Sequence, residues 1–218
     1  MIAHLKEIVQ NKSGRAIGII FACSGLVFGS WASFIPYIKE KFNLDEAQLG
    51  LLLLSMPVGI LLVNPVSVLL IRFWGAVATS LWFVVLTGFA FMLPVVMDSI
   101  TFVVIGLMLS GACFGITNVS MNTCASALES SSRLRLIAAC HGMWSFGAMM
   151  GALLSGFSLL PLEQCCSEII DPQKLYVLLQ ALLVCMIIWL LPKDLHHINP
   201  EQIPEKSGSK FNIRIKII

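Results

Sequence analysis

Six stretches of this chain, 16–38, 47–71, 73–97, 99–128, 136–162 and 175–192, contain no Asp, Glu, Lys or Arg. A helix rises about 1.5 Å per residue, so about 20 residues cross a hydrocarbon core about 30 Å thick. Five of the stretches are comfortably long enough and the last is just long enough. Inside lipid every backbone N–H and C=O needs a partner, and a helix supplies it internally. The expectation is an all-α membrane protein with six transmembrane helices. Six is the number for a small channel or for half of a large transporter.

Composition agrees. The chain is 57% hydrophobic and 12% charged, where soluble domains carry about 25% charged residues. The net charge of +2 is uninformative, but its distribution is not. With the N-terminus cytoplasmic, the inner segments hold Lys6, Lys12, Arg15, Arg72, Arg133, Arg135, Lys193, Lys206, Lys210, Arg214 and Lys216. The outer loops hold only Lys39, Lys41 and Lys174. That asymmetry is what the positive-inside rule requires, and it sets both termini on the cytoplasmic side of the membrane. The first stretch is too long for a signal-peptide h-region and no small-residue cleavage site interrupts it.

The organisation expected is a basic arm over 1–15, a six-helix bundle over 16–192 and a polar tail over 193–218. Asn43 to Gln48 reads as a helix start with acidic residues in its first turn. Pro57 and Pro65 fall inside the second span, which suggests a bent helix. The turn around Arg72 is short enough to make spans two and three antiparallel neighbours. The tail has Pro200 and Pro204, and its last eight residues alternate, with Phe211, Ile213, Ile215 and Ile217 apolar. Ser24-Gly25-x-x-Phe28-Gly29 in the first span returns as Ser110-Gly111-x-x-Phe114-Gly115 in the fourth. An inverted three-plus-three repeat gives this pattern.

Three kinds of residue stand out inside the spans. Gly25/Gly29, Gly111/Gly115 and Gly147/Gly151 are pairs four apart in three helices, the spacing that lets backbones approach closely, as packing faces or sliding gates. Asn118 and Asn122 lie four apart on one face of the fourth span, which Ser126 extends. Buried amides in lipid need partners and often line a cavity. His141 is an ionisable group at membrane depth, placed for a cavity or gate role or for an interfacial cap. Trp31 and Trp144 lie beside glycines and serines and offer a stacking face to a ring. Trp74 and Trp189 fit an interfacial belt.

Enzyme signatures are absent: there is no Gly-x-Ser-x-Gly, no His-Glu-x-x-His and no phosphate-binding loop. The seven cysteines show neither zinc spacing nor a disulfide framework. No cofactor or metal is called for. The basic residues are too thinly spread for nucleic acid, and the absence of charged rings within the spans argues against an ion channel.

Several stretches together resemble one family. Gly29-x-Trp31-x-x-x-x-Pro36 is followed by Leu44 and by Leu49-Gly50-Leu51-Leu52-Leu53. Further on come Gly111-x-x-x-Gly115-x-x-Asn118-Val119-x-Met121-Asn122 and Cys140-His141-Gly142-Met143-Trp144-Ser145-Phe146-Gly147-x-x-x-Gly151-Ala152. These resemble the N-terminal six-helix half of the major facilitator superfamily, in its fucose-permease-like bacterial branch. The resemblance covers about residues 15–192. It implies a permease working by alternating access on a sugar or similar small polar solute, with helices 1 and 4 lining the cavity. It makes Trp31, Asn118, Asn122, His141 and Trp144 cavity candidates. Because one half offers one wall, it also implies a second six-helix half or self-pairing as partner. The inner loop around Arg72 keeps one Arg and lacks the family's acid. Asn118 stands where the family often has an acidic residue, and an amide carries no proton. The residues after Pro192 look like the start of the family's central loop. The rival expectations are a truncated, inactive permease fragment and a non-transporting membrane interaction protein.

Overall fold

The computed structural model describes residues 12–132, 136–165 and 171–191, and these are almost wholly helical. The helices are α1 (Lys12–Ala32), α2 (Ile35–Lys41), α3 (Glu46–Trp74), α4 (Ala76–Ala90), α5 (Leu93–Val96), α6 (Ile100–Ser132), α7 (Leu136–Cys165) and α8 (Pro172–Leu190). Six spans are long and apolar enough to cross a membrane: α1 with α2, α3, α4 with α5, α6, α7 and α8. The first begins at Lys12, so the helix takes in the last residues of the expected arm. Residues 1–11, Arg133, Arg135, Cys166 and the tail with its alternating end lie outside the described residues.

Breaks in the spans follow from proline and glycine. Ser33 and Phe34 separate α1 from α2, and Pro36 sits in the first turn of α2, where its missing N–H has no helical partner to lose. Pro94 does the same for α5. Gly75, at φ +80°, joins α3 to α4 by itself. A side chain there would meet the preceding carbonyl, which is why this one-residue turn needs glycine. Pro57 and Pro65 lie inside an unbroken α3, leaving the carbonyls of Leu53 and Leu61 without their usual donors.

The expected helix start forms a capping box. Asp45 accepts from the Gln48 backbone N–H at 2.8 Å, and the Gln48 side chain accepts from Asp45 N–H at 3.0 Å. Asp45→Ala is expected to lower stability by about 1 kcal/mol, read as a lower melting temperature in detergent with α3 intact. A change under a third of that would show that the cap is redundant there.

Two helix pairs form the heart of the bundle: α1 against α7 and α3 against α6. α4 packs on α6, and α8 packs on α4. Glycine makes both pairs possible. A Cβ on Gly25, Gly29, Gly147 or Gly151 would fall on the carbonyl of Trp144, Ala148, Ala22 or Leu26 respectively. A Cβ on Gly59 or Gly111 would fall on that of Met108 or Met56. Such backbone-to-backbone contact replaces the hydrophobic drive that lipid does not provide.

Polar side chains tie the layers. Ser30 and Ser155 share a hydrogen bond of 2.8 Å, and Thr87 and Thr117 one of 3.0 Å. Tyr176 Oη donates to Phe91 O at 3.0 Å and Gln180 Nε2 to Gly88 O at 3.3 Å, fastening α8 to α4 and its end. At the end of the bundle beside α2, Lys41 Nζ reaches Met97 O at 2.9 Å, Val95 O at 3.4 Å, Gln173 Oε1 at 3.3 Å and Asp98 Oδ1 at 2.8 Å. Leu51, Leu61, Leu62, Phe73, Trp74, Trp82 and Trp189 are exposed, as a lipid-facing surface requires.

Candidate functional site

A cleft of about 220 Å³ opens between α1, α6 and α7, lined by Phe28, Phe114, Asn118, Met121, His141 and Trp144. Its aromatic wall comes from the internal repeat. Phe28 and Phe114 hold the same place in the two Ser-Gly-x-x-Phe-Gly runs, and their rings stack at 5.4 Å with 26° between planes. Trp144 leans on Phe28 at 5.5 Å. Both phenylalanines belong to the repeated motif, which does not by itself place their rings together.

The amides are oriented by their own hydrogen bonds. Asn122 Nδ2 donates to the Asn118 carbonyl at 2.9 Å and to Asn118 Oδ1 at 2.8 Å. A backbone carbonyl only accepts, so the Asn122 nitrogen must face it. Asn118 Oδ1 must then face Asn122, which turns Asn118 Nδ2 outward with two hydrogens to donate. Both amides are half-buried. They also begin a groove of about 540 Å³ along α6 that continues through Thr123, Ser126 and Ser130.

His141 is exposed and sets its ring edge against Phe21 at 5.5 Å. Among the described residues, no Asp, Glu, Lys or Arg lines the cleft. Trp144 Nε1 is buried without an acceptor. Trp31 is buried away from the cleft, stacked on Phe91 at 5.1 Å and in contact with Phe28 at 5.8 Å. It stands behind the aromatic wall, and its Nε1 also lacks an acceptor. Arg72 is exposed at the end of α3 and does not reach the cleft. The structure thus brings together Asn118, Asn122, His141 and Trp144, and sets Trp31 and Arg72 apart from them.

Two placements were not visible in the sequence. Glu129 Oε2 accepts from the backbone N–H of Leu136 at 2.7 Å and of Ile137 at 2.9 Å, capping α7 from the end of α6. Lys41 ties α2 to the end of α5 and the start of α8. Neither lies at a local capping distance from the groups it serves, so no spacing rule finds them.

The model of the major facilitator superfamily matches residues 17–212. The chain belongs to the major facilitator superfamily. It is 33% identical over 145 residues to an uncharacterised MFS-type transporter of Yersinia pestis, covering 66% of this chain and 37% of that protein. It is 31% identical over 141 residues to the membrane protein MosC of Rhizobium meliloti, covering 65% and 35%. An uncharacterised transporter of Sinorhizobium fredii is 30% identical over 142 residues, covering 63% and 37%. The chain thus spans about a third of the length of these superfamily relatives. Its six spans are consistent with one half of the superfamily's fold.

Proposed function

We propose that this chain forms one half of a bacterial inner-membrane carrier that moves a small polar solute by alternating access. The observation that carries the reading is the oriented amide pair. Asn118 offers unpaired donors into a cleft whose other polar groups are His141 and Trp144, against stacked aromatic faces. Such a cleft suits a solute with oxygen acceptors and a flat or apolar face, of which a sugar is one. Both termini lie in the cytoplasm in this reading, following the basic residues. The cleft has its wall from one side here, so transport needs a second six-helix half or a second copy of the chain.

Uptake of radiolabelled hexoses and hexitols into proteoliposomes tests the site. Asn118→Leu with Asn122→Leu is expected to reduce uptake at least tenfold while the protein stays monodisperse, since a buried donor lost to a solute acceptor costs about 1–3 kcal/mol. Unchanged uptake would make the amides packing residues. Native mass spectrometry in detergent tests the pairing, and a strictly monomeric particle with full uptake would overturn it.

A further inference from the structure

The same helix crossing occurs twice in this fold, and the two copies differ at one position. On α1 and α7 the contacts are Gly25 to Trp144, Gly29 to Ala148, Gly147 to Ala22 and Gly151 to Leu26. On α6 and α3 they are Gly111 to Met56, Gly115 to Ile60 and Gly59 to Met108. Positions 22, 25 and 29 recur 86 residues later as 108, 111 and 115; positions 144, 147 and 148 recur 88 residues earlier as 56, 59 and 60. Three contacts therefore share one register. The fourth maps Gly151 onto Val63. Val63 Cγ1 lies 3.1 Å from where Gly115 would carry a Cβ, and no carbonyl oxygen is among the nearest atoms there. At Gly29, the counterpart of Gly115, the Ala148 carbonyl holds that place. A side chain has been put where the other crossing has backbone on backbone.

Hydrogen bonds differ at the same level. The α1–α7 pair is fastened by Ser30 to Ser155 at 2.8 Å and by Ser33 Oγ to Ala152 O at 3.3 Å. The same shifts lead to Ile116 with Ser67 and to Val119 with Asn64. Isoleucine and valine side chains cannot hydrogen-bond, and the Ser67 hydroxyl donates to Val63 O in its own helix at 3.1 Å. The groove along Asn118, Asn122, Ser126 and Ser130 begins three residues beyond Gly115, and every residue lining it belongs to α6. The same shift carries 118–130 to 32–44, at and beyond the end of α1, so this open face of α6 has no counterpart on α1.

We propose that Val63 unlocks the cytoplasmic end of the α3–α6 crossing. The inner half of α6, carrying Asn118 and Asn122, is then the mobile wall of the cleft, while α1 and α7 stay clamped. Its meaning for transport rests on the cleft being the solute site; its mechanics do not. Hydrogen–deuterium exchange on the 218-residue chain in lipid nanodiscs, without solute, tests it. With Val63→Gly the amides of 116–130 are expected to exchange at least about threefold more slowly. Those of 20–33 and 145–156 are expected to keep their wild-type rates. Val63→Ala is expected to shift 116–130 in the same direction by less, and it carries the test if the glycine variant does not fold. Unchanged or faster exchange over 116–130, or equal slowing in α1 and α7, overturns the proposal. Solute uptake plays no part in this readout, so failure here leaves the solute site standing. Failure of the Asn118 and Asn122 test leaves this inference standing in turn.

Discussion

Valine at position 25 is expected to break the α1–α7 pair. Its Cβ would fall on the Trp144 carbonyl oxygen, with the Ala148 backbone N 3.0 Å away. Overpacking against movable side chains typically costs about 1–3 kcal/mol. Here the obstacle is backbone held in a helix, and relief requires the helices to part. Parting them would also draw apart Gly29 and Gly147, which rely on the same approach, and stretch the Ser30–Ser155 hydrogen bond. The expected loss is therefore at or above about 3 kcal/mol, read as aggregation on size-exclusion chromatography or a collapse of the melting transition. Gly50→Val is the control, because nothing lies within 4 Å of a Cβ there; it is expected to stay within about 0.5 kcal/mol. If both variants melt alike, close approach at Gly25 is not what holds the pair.

Lys41→Met is expected to loosen the α2 end of the bundle by about 1.5–3 kcal/mol, the range for hydrogen bonds to a charged group. The ion pair with Asp98 is the conspicuous contact, yet it is not the main one. Asp98 is 86% exposed while Lys41 is 17% exposed, and exposed ion pairs contribute about 0–1 kcal/mol. The carbonyls of Met97 and Val95 and the Gln173 side chain depend on the same ammonium. Methionine keeps the apolar stem and leaves those acceptors bare. Asp98→Asn should then cost under about 0.5 kcal/mol. Thermal unfolding of the two variants separates the accounts, and a larger loss in Asp98→Asn than in Lys41→Met would reverse them.

The spans were legible because lipid imposes one rule on all of them: no charge, and about twenty residues. The start of α3 was legible because Asp45 and Gln48 are three apart and cap locally. Asn118 with Asn122 was legible because a period of four sets residues on one face whatever the surroundings. Trp31 shows where such reading stops. Its neighbours in sequence resemble those of Trp144, but only three-dimensional packing decides which indole lines the cleft and which stands behind it against Phe91. Lys41 and Glu129 show the same limit for charge. Lys41 serves groups 54 to 132 residues away, and Glu129 caps a helix whose first N–H lies seven residues on. The stacking of Phe28 on Phe114 was present as a repeated letter, but it becomes a contact only when the two halves of the repeat face each other.

Among the described residues, the cleft and the groove along α6 are lined without an Asp, Glu, Lys or Arg. A membrane potential does work on moving charge, about 2.3 kcal/mol per elementary charge per 100 mV. The stretch of the proposed wall from Asn118 to Ser126 bears only uncharged side chains, and the Glu129 carboxylate sits beyond it, held by the N–H groups at the start of α7. A membrane potential therefore exerts no direct force on the side chains of that stretch, and its proposed movement draws no electrical work from them.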